Sequence, residues 1–289
     1  MSVIIPAFNS ATTIVRAIES CSDFIGCEII VVDDGSTDQT SIVAQDAGAR
    51  VISQVNSGAG AARRLGLTVS SSEYVIFLDA DDELVPEGVS ESIALLENSA
   101  DASVAGGRVL GIPPSGRARV LLRSYEKITA AALIRVGFGP WPPAASVVRR
   151  SALISAEQLS IRPLSTRFAE DYEMVIRLSM VGSILTHDLV STRYQLYSGK
   201  SSKAPTAAIR DKEIIRAHYS RQLGISCALL TESEIVASAR ARASRVAFSN
   251  GRYINSLVMF FGAVISSPRQ FVKKLTMKFC NNTSMKRSF

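Results

Sequence analysis

Four positions, Asp79-Ala80-Asp81-Asp82, set three carboxylates directly after the apolar run Tyr74-Val75-Ile76-Phe77-Leu78. Like charges so close repel unless something positive holds them, and converging hard oxygens suit a divalent cation such as Mg²⁺ or Mn²⁺. Asp79 and Asp81 are two positions apart, so in extended chain both point the same way. The pair reads as a metal site that bridges to a phosphate; the competing reading is a polar strand-to-turn transition with solvated acids. A second acidic pair, Asp33-Asp34, also follows an apolar run, and a third, Glu170-Asp171, opens the helix-like stretch Phe168 to Leu178. Acids in a first helical turn are favoured by the helix dipole, and a carboxylate held there beside a substrate could equally be a general base. With His187 and His218 as the only histidines, a histidine-rich metal cluster is excluded. Cys21, Cys27, Cys227 and Cys280 show no CxxC spacing and read as reduced thiols without zinc.

Elements that could position these acids alternate along the first hundred residues. Ser2 to Pro6 is a short β-branched strand, and a polar turn over Ala7 to Ser10 leads into a helix from about Ala11. Glu28 to Val32 is a second strand; Gly35 permits a tight turn after it, and Ser36 with Gln39 has capping-box spacing for a helix to about Ala47. A third strand around Arg50 to Ser53 leads into Asn56 to Arg64, whose small residues let a helix start close to the sheet edge. Alternation of this kind predicts an α/β fold, a mostly parallel sheet with helices on both faces. Ligands of such sheets bind beyond the carboxyl ends of the strands, where Asp33-Asp34 and Asp79 to Asp82 fall. Adjacent acids there suit a nucleotide held through base, ribose and a metal. Neither GxGxxG nor a Walker lysine loop is present, which removes the oxidoreductase and P-loop readings. Further on, a helix from Pro86, a strand from Asp101 to Leu110 and a helix from Ser124 to Val136 are expected. Gly137 to Pro143 is stiff and turn-rich and holds the only tryptophan, Trp141, a candidate wall of an acceptor pocket or else a packed surface loop.

Taken together, Val3-Ile4-Ile5-Pro6-Ala7-Phe8-Asn9, Val31-Val32-Asp33-Asp34-Gly35-Ser36-Thr37-Asp38, Asn56 and Gly58 with Ala62-Arg63, Leu78-Asp79-Ala80-Asp81-Asp82 and Glu170-Asp171-Tyr172-Glu173 resemble, in order and spacing, the inverting family 2 glycosyltransferases of the GT-A fold. The resemblance covers roughly residues 2 to 200. It implies that Pro6, Ala7, Asn9 and Asp34 belong to the nucleotide site, with Arg63 on the base or diphosphate and Asp79 on the ribose. Asp81 would hold the Mg²⁺ or Mn²⁺ that bridges the diphosphate, and Asp171, with Glu170 beside it, would deprotonate the acceptor hydroxyl. The implied activity is transfer of a sugar from a nucleotide-activated donor, a UDP-sugar, to a glycan or lipid-linked acceptor in cell-surface polysaccharide synthesis. The family pattern is broken in two places: Arg64 stands where an Asn is common, and Gln195 and Tyr197 stand where many members have an arginine and a histidine. Tyr197 or Lys200 would then have to serve the diphosphate. A sugar nucleotidyltransferase is a competing class, though no Gly- and Arg-rich loop follows the first strand, and Gln195 and Tyr197 keep open a non-catalytic nucleotide-sugar binder.

The expected division is a GT-A domain over 1–203, with a nucleotide-binding half at 1–110 and an acceptor and catalytic half at 111–203, then a basic helical C-terminal extension over 204–289. Net charge is +6 over 289 residues, but ten of the 32 Lys and Arg follow Glu234, where no Asp or Glu occurs. The rest of the chain therefore holds 22 cations against 26 acids, and the basic character belongs to the tail. Helices are expected over Pro205 to Leu223, Glu232 to Ser249, Gly251 to Ile265 and Phe271 to Phe279. The last sets Phe271, Val272, Leu275 and Phe279 on one face and lysines outside it, the pattern of a helix lying on an anionic membrane surface or packed on the domain. No recognition module accompanies the charge, so nucleic acid is not an expected partner. With neither a secretory signal nor a spanning run of apolar residues, the expected location is the cytoplasm, peripheral on the inner face of the cell membrane.

Overall fold

Residue alternation in the first strand explains the whole N-terminal half. In Ser2–Ala7 (β1), Val3 and Ile5 face one side of the sheet and Ile4 the other, and all are buried. A strand apolar on both faces must lie inside a sheet covered twice. β1 pairs in parallel with Glu28–Asp33 (β2) and with Tyr74–Phe77 (β4), and β2 pairs in parallel with Arg50–Ser53 (β3). The covering helices are Ile14–Glu19 (α1), Thr40–Asp46 (α2) and Ala59–Val69 (α3). α3 lies so close to β1 that a Cβ on Gly66 would fall 2.3 Å from Ile4 Cγ2. That approach carries Arg63, one turn earlier, to the carboxyl edge of the sheet.

The computed structural model describes residues 1–121, 125, 127–197 and 199–268. Beyond β4 come Glu83–Leu84 (β5), Pro86–Glu97 (α4), Ala102–Ile112 (β6), Arg119–Leu121 (β7), Ala130–Val136 (α5), Ser146–Arg149 (β8), Arg150–Glu157 (α6), Glu170–Val181 (α7) and Ser183–Gln195 (β9). Strand order is β3-β2-β1-β4-β8-β6-β9-β5, with β7 on β6. β8 runs antiparallel to β4 and β6, whereas β6 and β9 are parallel. The sheet is thus parallel through its N-terminal half and mixed after it.

Lys200–Lys203 (α8), Pro205–Leu223 (α9), Glu232–Ser249 (α10) and Tyr253–Ser266 (α11) follow. α9 is built into the protein core: Ile215 and Tyr219 pack with Val109, Leu133, Trp141, Tyr172 and Ile176. Its buried Glu213 and Arg216 form an ion pair, and Arg216 also donates to the carbonyls of Ile134, Arg135 and Ala228. α10 and α11 form an antiparallel hairpin, joined where Ser244 meets Ser256 and where Arg240 donates to the Gly262 carbonyl.

Three local expectations change. Ser36 and Gln39 do not form a capping box, because the Ser36 hydroxyl accepts from the Asn9 amide while Asp38 accepts from the Thr40 amide. The expected helix from Ser124 begins at Ala130 instead, where the Thr129 hydroxyl caps it by accepting from the Ala132 amide. Asp79 and Asp81 do not lie in extended chain: β4 stops at Phe77 and the chain turns, with the Asp82 amide donating to the Asp79 carbonyl at 3.0 Å. The expected helix over 271–279 lies outside the described residues.

Candidate active site

Arg63 joins the acidic segments. Its guanidinium donates to Asp79 Oδ1 at 2.8 Å and to Glu170 Oε1 at 3.1 Å, so one side chain ties the end of β4 to the start of α7, and Glu170 lies 107 positions from Arg63 in sequence. Burial opposes the charge on Arg63, but Asp79, Glu170 and Asp171 together outweigh it and raise its pKa. Glu170 packs over Gly60, where a Cβ would stand at van der Waals contact, 3.4 Å from Glu170 Cγ. Asp171 is next to the pair, half-buried, with Oδ1 accepting from the Tyr172 amide at 2.8 Å. Its pKa is raised, first by burial and then by the neighbouring Glu170 charge, against the pull of Arg63. That is the direction a general base requires.

Among the described residues three other than glycine have left-handed backbone, Asn9 (φ 50°), Ala169 (φ 64°) and Tyr197 (φ 70°). Strained backbone persists where surrounding structure over-determines it, commonly at functional sites. Ala169 turns the chain directly into Glu170-Asp171. Asn9 Oδ1 accepts from the Thr37 amide at 2.8 Å and so locks the loop after β1 to the loop after β2. Pro6 and Ala7 end β1 beside them, and the Ala7 carbonyl accepts from the Asp34 amide at 2.8 Å. Asp34 itself is buried, accepting from Gln54 Nε2 and the amides of Ser57 and Gly58 at 2.7 to 2.8 Å. It shapes the loop leading into α3.

At the carboxylate turn, Asp82 is buried; Oδ1 accepts from the Gln195 amide at 2.8 Å, and Oδ2 has no hydrogen-bond partner. Burial, then the Asp79 charge, pushes it up to about 9. Among the described residues no three His, Cys, Asp or Glu side chains close a metal cage. The donor set at the turn is carboxylate oxygen, which fits Mg²⁺ or Mn²⁺, ions that complete their coordination with water and substrate phosphates. His187 is satisfied elsewhere, with Nε2 2.8 Å from Ser92 Oγ.

Asp171 also lines a cavity of about 450 Å³ with Trp141, Tyr194, Lys212 and Arg242. Trp141 is only 7% exposed, and its indole Nε1 lacks a hydrogen-bond partner. Tyr197 follows the end of β9; Lys200 opens α8, and its side chain lies outside the described residues. Tyr194 and Arg242 are the site residues that sequence reasoning passed over, and Asp82 reads from sequence as one of three carboxylates without a role of its own. Arg242 sits between Arg240 and Arg245, whose only sequence signal is tail charge.

Residues 2–154 match the family model described as glycosyl transferase family 2. Glycosyltransferase GlyG of Streptococcus pneumoniae is 34% identical over 115 residues, 37% of this chain and 38% of GlyG. The succinoglycan biosynthesis protein ExoU of Rhizobium meliloti is 32% identical over 196 residues, 61% of this chain and 55% of ExoU. The matches therefore span about two fifths and about half of these relatives. Among solved structures, S. aureus TarS 1-349 in complex with UDP-GlcNAc superposes with a TM-score of 0.61 at 22% identity, over 91% of this chain and 81% of TarS 1-349. Glucosyl-3-phosphoglycerate synthase of Mycobacterium tuberculosis with Mg²⁺ and UDP gives 0.52 at 24%, over 78% and 79%. These likenesses establish the fold, a GT-A sheet followed by C-terminal helices.

Proposed function

The chain belongs to glycosyl transferase family 2, and on that premise we propose that it transfers a sugar, with inversion, from a UDP-sugar to a hydroxyl of a glycan or lipid-linked acceptor in cell-surface polysaccharide synthesis. The observation that carries this reading is the Asp79–Arg63–Glu170 chain beside Asp171, which holds acids from two distant segments at one sheet edge. Asp171 takes the acceptor proton while the acceptor oxygen attacks the anomeric carbon from the face opposite the nucleotide. Glu170 keeps Arg63 in place and, by its charge, helps keep the Asp171 pKa raised. Asp79 contacts the ribose, and the loops held by Asn9 and Asp34 form the base site at the end of Pro6-Ala7. Trp141 offers its indole N–H to the acceptor. Asp81 would hold Mg²⁺ or Mn²⁺, which when bound stabilises charge on the departing diphosphate as a Lewis acid. We also place the enzyme on the cytoplasmic face of the membrane through its C-terminal helices, with α11 as the contact.

Asp171→Asn tests the base. UDP affinity measured by calorimetry should stay within about twofold of the parent, while kcat for transfer should fall roughly 10²- to 10⁴-fold. Turnover near that of the parent would remove Asp171 from this role. In the parent, the acidic limb of the pH profile should lie above the ordinary aspartate value of about 3.9. Glu170→Gln removes a charge that raises it and should move that limb to lower pH.

A further inference from the structure

Among the described residues three cations line the cavity, Arg108, Lys212 and Arg242. Arg108 is paired with Asp188, and the nearby Arg63 is shared by Asp79 and Glu170. Arg242 reaches the same cavity from α10, and its hydrogen-bond partners are the hydroxyls of Ser201, at 2.9 Å, and Ser202, at 3.3 Å. A half-buried guanidinium held by hydroxyls alone keeps its full charge while losing much of its water, and burial is the chief influence on it, acting to lower its pKa. Tyr194 tells where that charge is felt. Its phenol is pushed up by burial and then by Asp79, Asp82, Asp171 and Asp81, and it is also the first side chain to act electrostatically on Arg242, ahead of Arg245, Tyr197 and Asp171. Arg242, Tyr194 and Asp171 line the same cavity, so the guanidinium shares it with the acid proposed to take the acceptor proton.

We infer that Arg242, carried by the C-terminal helices, binds the diphosphate of the donor and takes up the charge of the departing nucleoside diphosphate. The inference rests on the glycosyl-transfer reading above. As the acceptor oxygen bonds to the anomeric carbon, the bond from that carbon to the terminal phosphate oxygen breaks and its electron pair stays on the phosphate. The acceptor proton goes to Asp171, and the nucleoside diphosphate leaves with one more negative charge than it carried as donor. A guanidinium matches phosphate oxygens in a bidentate geometry that an ammonium lacks. Ser201 and Ser202 lie on α8, directly after the Tyr197 turn, and aim the guanidinium while leaving its charge uncancelled.

The test compares UDP with uridine, which lacks the phosphates, by calorimetry on the full chain with Mn²⁺. Arg242→Gln should weaken UDP roughly 10- to 100-fold, the worth of a hydrogen bond to a charged group, leave uridine unchanged and lower kcat, with Arg242→Lys recovering only part of the loss. Ser201→Ala/Ser202→Ala removes the pin but keeps the charge, and should cost UDP binding less than Arg242→Gln does. Equal losses of UDP and uridine, unchanged UDP affinity in Arg242→Gln, or a serine double variant that reproduces the full loss would each overturn the inference while the glycosyl-transfer reading stands. A parent protein that binds neither UDP nor uridine would overturn the UDP-donor reading and the inference with it.

Discussion

α9 and α11 reverse the ordinary relation between polarity and burial. α9 carries Arg210, Asp211, Lys212, Glu213, Arg216 and Arg221, yet it lies in the core, with Arg216 only 4% exposed. α11 has no charged residue, yet of its side chains only Ser256 and Ala263 are buried, while Ile254, Val258 and Ile265 are 78%, 67% and 77% exposed. In α9 each buried charge is satisfied, Arg216 by Glu213 and three carbonyls, and Glu213 also by the Leu230 amide. In α11 small residues face α10 and large apolar ones face outward, the arrangement of helices whose surroundings are apolar. Burial follows satisfied polar groups in one case and the wrong solvent in the other. No described helix is long and apolar enough to cross a membrane.

Three substitutions sharpen or break that contrast. The largest effect is expected from Arg216→Ala, which strands the buried Glu213 charge and should cost about 3–5 kcal/mol in denaturant unfolding; a loss below 1 kcal/mol would show that α9 is dispensable to the core. Gly137→Ala comes next. Gly137 sits at φ +80° and a Cβ there would meet Arg216 Nε at 2.9 Å, so a cost of about 1–3 kcal/mol should appear in the same assay. The smallest change in stability, within about 0.5 kcal/mol, is expected for Val258→Ser/Ile265→Ser. The double variant should nevertheless lose flotation with phosphatidylglycerol vesicles. If it were strongly destabilised instead, α11 would be packed against protein in solution, and a change of oligomeric state in light scattering would identify a second copy as the cover.

Much of this was legible in the sequence, and the failures have physical causes. Strands and helices alternating over the first hundred residues gave the sheet, and both α9 and α10 fall at the expected bounds, because apolar periodicity and start signals agree there. Asp79, Asp171, Glu170 and Arg63 were visible as residue types, but the Arg63 bridge was not, since it joins residues more than a hundred positions apart. Ser36 illustrates what spacing cannot show: its hydroxyl accepts from the Asn9 amide across the loop and not from the helix start. Tyr194 and Arg242 were missed because each gets its meaning from a neighbour on another element. Tail charge was read as one feature, whereas the structure divides it between cavity wall, helix contacts and surface.

The parallel pairing of β9 with β6 has a kinetic consequence. Ala102 stands opposite Ser183, so this ladder closes a loop of roughly eighty residues, and long-range parallel pairing is slow because chain entropy is lost before contacts repay it. Tyr194 lies on β9, Tyr197 just beyond it, and the helix bearing Arg242 is made later still. A chain emerging from the ribosome can therefore complete the β1–β4 sheet, with Asp34, Arg63 and Asp79 on it, well before the cavity exists. Half-made molecules would hold those residues without Glu170, Asp171 or Arg242, so the order of synthesis separates the two halves of the site in time.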